Sequence, residues 1–233
     1  MKKIISFVGA PGCGKGFLIK KFTETAIRNN MLSPENIAII SIGNIIRTEI
    51  KNKTKLGIKI QKSKREGCLA PDSLIIPLLK KELHKTKASI IILDGYPRTQ
   101  RQFELLCGIS KGYNLNIIHR DTPENIIKKR IEQRRICSMC GCEHIASEVQ
   151  CCCGGNLIQR KEDTVWSDRM AEYKEVTLPM INEIKNENYF YTLQEQNLED
   201  CDLTSLVTQV LSNKDTKKNS LSLNMFSSDK ENN

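Results

Sequence analysis

Lys3-Ile4-Ile5-Ser6-Phe7-Val8-Gly9-Ala10-Pro11-Gly12-Cys13-Gly14-Lys15-Gly16-Phe17 is the stretch that decides how this 233-residue chain is read. Its first half is short and rich in β-branched residues, as a buried strand should be. Its second half matches G-x-x-x-x-G-K, and the residues beyond Phe17 have helical spacing. Glycines let a backbone curl so that its N–H groups face an anion with no side chain in the way. The following helix adds its positive N-terminal end, and Lys15 adds a mobile point charge. A strand before the loop and a helix after it are the context such a phosphate loop demands.

Beyond this stretch, three more segments read as buried strands: Ile37 to Ile42, Ile90 to Leu93 and Leu115 to Ile118. A fifth is expected at Tyr189 to Leu193, and a last helix near Leu203 to Leu211. Strands alternating with helices predict an α/β fold, a five-stranded parallel sheet of the P-loop NTPase type covered on both faces. Two stretches interrupt the alternation. Residues 42–83 are largely helical in spacing, and 136–159 form a polar excursion carrying cysteines. Each is a candidate flap over a site at the carboxyl ends of the strands. The expected division is a domain over 1–212, with its core in 1–41, 84–135 and 160–212, followed by a disordered polar tail over 213–233.

Composition narrows the classes. No apolar run approaches the ~18 residues of a membrane helix, and the N-terminus reads as a strand, not a targeting segment. A cytoplasmic, intracellular monomer with no membrane partner is expected. The 36 Lys and Arg against 27 Asp and Glu leave a net charge of +9. That suits either a solvated surface or a polyanion site, but a single Trp argues against a single-strand nucleic-acid binder. Six of the ten cysteines fall between Cys137 and Cys153, a clustering that favours metal over disulfides.

The third strand ends in Leu93-Asp94-Gly95-Tyr96-Pro97-Arg98-Thr99, with Gln102 beyond. An Asp at the end of a buried strand beside a phosphate loop is placed to hold magnesium, usually through water. Arg98 can fork onto a phosphate. With both motifs in order, the chain resembles the adenylate kinase family from about Lys3 to Leu193.

That resemblance implies ATP and AMP as substrates, ADP as product, and magnesium bound with ATP. Gly12, Cys13, Gly14, Lys15, Gly16 and Phe17 would cradle the ATP phosphates, with Arg130 and Arg134 reaching them from the lid entry. On the acceptor side Arg47, Gly95 and Arg98 would grip AMP, the backbone of Leu69 and Ala70 its sugar and base, and Gln102 the adenine edge. Arg160 and Arg169 would clamp the transferred group. Lys15, Asp94, Arg98, Arg130, Arg134, Arg160 and Arg169 are thus the expected catalytic set. Arg101 and Arg135 read as surface charges. Four departures stand out: Phe17 and Ile42 where the family favours Thr, Asn44 where Asp is common, and Glu143 where an aromatic often meets the adenine.

Cys137-Ser138-Met139-Cys140 is a C-x-x-C knuckle able to take two corners of a zinc tetrahedron, and Cys151-Cys152-Cys153 follows. A segment this short has little core of its own and gains stability from metal. The resemblance points to a structural zinc on Cys137, Cys140, Cys153 and a fourth ligand. Cys151 is the first choice for that fourth place, with Cys152, Cys142 and His144 as substitutes. Three rival functions stay open: a kinase using GTP as donor or UMP or CMP as acceptor, a non-catalytic nucleotide-binding relative, and a zinc-ribbon nucleic-acid binder.

Overall fold

A computed structural model describes residues 2–63, 69–110, 112–140, 142–159, 163–194 and 202–213. Five strands form a parallel sheet: β1 (Lys2–Gly9), β2 (Ile37–Ser41), β3 (Ile90–Asp94), β4 (Tyr113–Arg120) and β8 (Phe190–Leu193), in the order β2-β3-β1-β4-β8. Between them run α1 (Lys15–Arg28), α2 (Ile42–Lys51), α3 (Lys55–Ser63), α4 (Asp72–Lys85), α5 (Gln100–Ile109) and α6 (Glu124–Gln133). Strands β5 (Arg134–Cys137), β6 (Glu143–Ile145) and β7 (Leu157–Ile158) make a small antiparallel sheet in the cysteine segment. Helices α7 (Trp166–Glu172) and α8 (Leu178–Ile184) are joined by a π-helical turn, Tyr173–Thr177, and α9 (Thr204–Ser212) follows β8.

Strand alternation explains the layering. In β1, Ile4 and Val8 point into a core beneath α4, α5 and α8, whereas Ile5 and Phe7 point into one beneath α1 and α9. In β3, Ile91 and Leu93 face the first layer and Ile90 and Ile92 the second. Both faces are buried, so near-continuous isoleucine is what a parallel strand here requires. The helix after β1 covers one face and the helix after β3 the other, yet β1 and β3 are neighbours, pairing Phe7 with Asp94. Chains that leave adjacent strand ends toward opposite faces open a crevice between them, where α/β sheets bind ligands.

Several boundaries differ from expectation: the third strand gains Asp94 and the last begins at Phe190. The second strand stops at Ser41, because Ile42 already opens α2 and turns its side chain into the core. The fourth runs from Tyr113 to Arg120, longer than its apolar centre, because Asn114, Asn116, His119 and Arg120 are buried polar residues in an otherwise apolar strand. The last helix covers Thr204–Ser212, one residue on from the expected span. Nearly all of the expected tail, 214–233, lies outside the described residues, as do Cys68 and Arg160. Among the described residues no helix is long and apolar enough to cross a membrane.

Candidate functional site

At the end of β1 the chain turns through Gly12 and Gly14, whose φ angles are +90° and +89°, a conformation L side chains rarely adopt. Space forbids a side chain at Gly12 as well: a Cβ there would lie 2.6 Å from Ile131 Cδ1, since Ile127 and Ile131 of α6 pack against the loop. Lys15 is the first residue of α1, and its Nζ donates to the carbonyls of Gly9 at 2.8 Å and Ala10 at 3.0 Å, closing the loop on itself. The cap position is Gly14, which brings no side chain of its own to the first N–H groups of α1. From outside, Trp166 Nε1 donates to the Pro11 carbonyl at 3.1 Å, and Thr122 Oγ1 and Arg130 Nη1 donate to the Cys13 carbonyl at 3.4 and 3.3 Å. Phe17 lies half-exposed on α1.

Across the crevice, β3 delivers Asp94, whose Oδ2 accepts from Ser41 Oγ at 2.9 Å. Gly95, at φ +68°, turns the chain so that Arg98 Nε donates back to the Gly95 carbonyl at 2.7 Å. Gln102 is deeply buried: its Oε1 accepts the Arg98 N–H at 2.9 Å and its Nε2 donates to Asp72 Oδ1 at 2.6 Å. Burial first, and then the Asp72 charge, push the Tyr96 hydroxyl well above its usual range, so it stays a neutral donor to the Gln102 carbonyl at 3.1 Å. Arg47 is exposed on α2 and bonds Asn44 one turn back. Ala70 is buried, and the N–H of Leu69 donates to Glu172 Oε1 at 2.7 Å.

Arg134 and Arg169 converge on one carboxylate. Asp163, with no exposed side-chain surface, accepts Arg134 Nε at 3.0 Å and Arg134 Nη2 as well, and lies 3.9 Å from Arg169 Nη1. Glu143 also faces Arg134, at 3.7 Å. On β4, His119 Nε2 meets the Tyr173 hydroxyl at 3.2 Å. Burial, against the pull of Asp121 and with a small push from Lys15, holds His119 below the ordinary imidazole range, so it is neutral at pH 7.

In the small sheet, the sulfurs of Cys137, Cys140, Cys151 and Cys153 lie within 4.8 Å of one another, with neighbouring pairs at 3.4 to 3.5 Å. A zinc tetrahedron with Zn–S bonds near 2.3 Å needs sulfurs about 3.8 Å apart, so the donor set fits that ion. The N–H of Cys140, helped by that of Met139, draws the Cys137 thiol down to about 6, toward the thiolate a metal binds. Gly155 backs the cluster, where a Cβ would collide with Cys137 Sγ. Cys142 and Cys152 are exposed outside it, and His144 Nδ1 is bonded to Glu148 at 2.6 Å.

The amino-acid order alone gives no role to Asp72, Asp163, Trp166 or Glu172. Asp72 stands two residues after Ala70 and Asp163 three after Arg160, both of which carry an expected role, so their charge was a usable signal, but nothing local tells which arginine or amide they meet. Trp166 and Glu172 gave no signal at all, since their partners are 155 and 103 residues away.

Comparison with known proteins agrees with this geometry. The family model described as adenylate kinase matches residues 7–189. The chain is 38% identical over 201 residues to an adenylate kinase of Fervidobacterium nodosum, covering 80% of this chain and 88% of that protein. It is 34% identical over 202 residues to one of Clostridium tetani, covering 81% and 89%. With one of Thermosipho africanus it shares 35% over 218 residues, covering 88% and 96%.

Proposed function

The chain belongs to the adenylate kinase family, and from that premise we propose that it moves the γ-phosphoryl group of ATP to AMP, giving two ADP. Membership makes it a phosphotransferase acting on nucleoside monophosphates; the donor and acceptor bases are the further step. The observation that supports transfer between two bound nucleotides is the pairing of β1 with β3. It sets a Lys-bearing phosphate loop and an Arg- and Gln-bearing turn on the two lips of one crevice.

An oxygen of the AMP phosphate attacks the γ-phosphorus in line as the bond to the β-bridging oxygen breaks and ADP leaves. The acceptor is already ionised near neutral pH, so no general base is needed, and catalysis is positioning plus charge neutralisation. The loop N–H groups and Lys15 hold the donor phosphates, with Lys15 trading the Gly9 and Ala10 carbonyls for phosphate oxygens. Arg130 and Arg134 reach the donor side, Arg47 and Arg98 the acceptor phosphate, and Arg160 and Arg169 the group in flight. Gly95 gives the acceptor room, the Leu69 and Ala70 backbone receives its sugar and base, and Gln102 meets adenine.

Magnesium bound with ATP would neutralise phosphate charge, and Asp94 is the carboxylate suited to hold it through water. Zinc on Cys137, Cys140, Cys151 and Cys153 would supply rigidity alone. We take residues 42–83 as the acceptor flap and 136–159 as the lid, which close to keep water from the phosphate.

Purified protein with magnesium, ATP or GTP as donor, and AMP, GMP, UMP or CMP as acceptor tests this. ATP with AMP should be the fastest pair. Faster turnover with another pair would replace the base assignment, and nucleotide binding without turnover in any pair would identify a non-catalytic relative.

A further inference from the structure

Resting on the acceptor reading above, we infer that Asp72 is a specificity-positioning residue: together with the Arg98 backbone N–H it locks the Gln102 amide in one orientation, and so decides which purine the site accepts.

Two independent demands fix that amide. The Arg98 N–H can only donate, so the Gln102 atom 2.9 Å from it must be the carbonyl Oε1. A carboxylate can only accept, so the Gln102 atom 2.6 Å from Asp72 Oδ1 must be Nε2. A half-turn of the amide would set N–H against N–H at one end and oxygen against oxygen at the other. Asp72 is itself held: its Oδ2 accepts from Thr99 Oγ1 at 2.8 Å, and Thr99 Oγ1 accepts the Gln102 N–H at 3.1 Å. Asp72, Thr99 and Gln102 close a hydrogen-bonded ring onto which Arg98 donates, and Gln102 is only 3% exposed, so water competes little for these bonds.

Within the ring, Oε1 keeps one lone pair and Nε2 one hydrogen for a ligand. A purine nucleotide anchored by its phosphate and sugar presents its position 6 and N1 in a set order. Adenine offers a donor at position 6 and an acceptor at N1, whereas guanine and hypoxanthine offer the reverse. A freely turning amide would serve either pattern. A locked amide serves one and sets like against like for the other. With position 6 at Oε1 and N1 at Nε2, the favoured base is adenine. Discrimination then rests on the Arg98 N–H and Asp72 acting together, and Asp72 need not touch the nucleotide.

The test measures kcat/KM for AMP, GMP and IMP with saturating ATP on the full chain, the Asp72→Asn and Asp72→Ser variants, and Gln102→Ala. Asp72→Asn presents Gln102 with a group that donates as well as accepts, so the preference for AMP over GMP and IMP should fall about tenfold or more. KM for ATP should hold, which a merely structural loss would not spare. Asp72→Ser should loosen the same ratio and serves if the first variant folds poorly. Gln102→Ala should abolish the preference. If the wild-type chain fails to phosphorylate AMP, the acceptor reading falls and this inference with it. If the wild type is selective and Gln102→Ala is not, but both Asp72 variants keep the full ratio, the lock alone is overturned.

Discussion

Replacing Asp163 with Asn should be the most costly single change in the arginine cluster. The carboxylate has no exposed side-chain surface, while the guanidiniums of Arg134 and Arg169 that it faces are 16% and 20% exposed. Removing its charge takes the buried carboxylate from both guanidiniums, leaving Arg134 with Glu143 at 3.7 Å as a looser anionic neighbour. Breaking a buried pair from one side costs about 3–5 kcal/mol. Both arginines retain some exposure and can turn outward, so the lower end, about 3 kcal/mol, is the better expectation. For a chain of this size that corresponds to a fall in Tm of roughly 6–12 °C. Turnover should fall further than stability alone explains, because a displacement of about 1 Å in a positioning group costs on the order of 100-fold. Urea unfolding followed by circular dichroism, alongside phosphotransfer at saturating nucleotide well below the melting temperature, reads both quantities. A variant with the wild-type unfolding midpoint and wild-type kcat would refute the claim that Asp163 sets the arginines.

Three further outcomes follow from the same geometry. Lys15→Ala should lower kcat by at least about 100-fold with the fold retained, since a preorganised charge on the transferred group is lost; steady-state kinetics with circular dichroism check this. Gly12→Ala should destabilise by about 1–2 kcal/mol from its positive φ, plus the clash with Ile131, whereas Gly16→Ser, with nothing within 4 Å of its Cβ, should stay within about 0.5 kcal/mol of wild type in denaturant titrations. Metal analysis of untagged protein should find one zinc per chain, and a strong chelator or Cys151→Ser should open the lid to protease between Ser138 and Asn156, as expected where metal supplies the stability a small core cannot. Absence of zinc, or a lid indifferent to chelation, would remove the metal from the account.

How far the residues in order could be read depended on the range of each interaction. The β1 strand and the loop after it are local: steric limits at Gly12 and Gly14 and the helix start at Lys15 act within a few positions. The isoleucine strands were legible because burial on both faces demands apolar residues. Strand β4 was under-read, because its buried Asn114, Asn116, His119 and Arg120 look like surface until the layers are assembled. The cysteine segment was legible as a cluster, and the four expected residues, with Cys151 as first choice for the fourth place, are the four whose sulfurs lie together. The alternatives to Cys151 were closed only by the fold, which sets its sulfur 3.5 Å from those of Cys140 and Cys153 and leaves Cys142 and Cys152 outside the cluster.

By itself the amino-acid order determined a parallel α/β sheet, a phosphate loop on its first strand and an arginine-bearing turn on its third. Those features rest on backbone sterics and on which residues can leave water, and both are properties of short segments. Only the folded chain decided that Asp163 joins Arg134 to Arg169, that Glu172 takes the Leu69 N–H, that Trp166 caps the loop and that Asp72 holds the Gln102 amide. Each of these bonds needs a directional donor and acceptor brought within about 3 Å, and for partners tens of residues apart that meeting is set by how the layers pack.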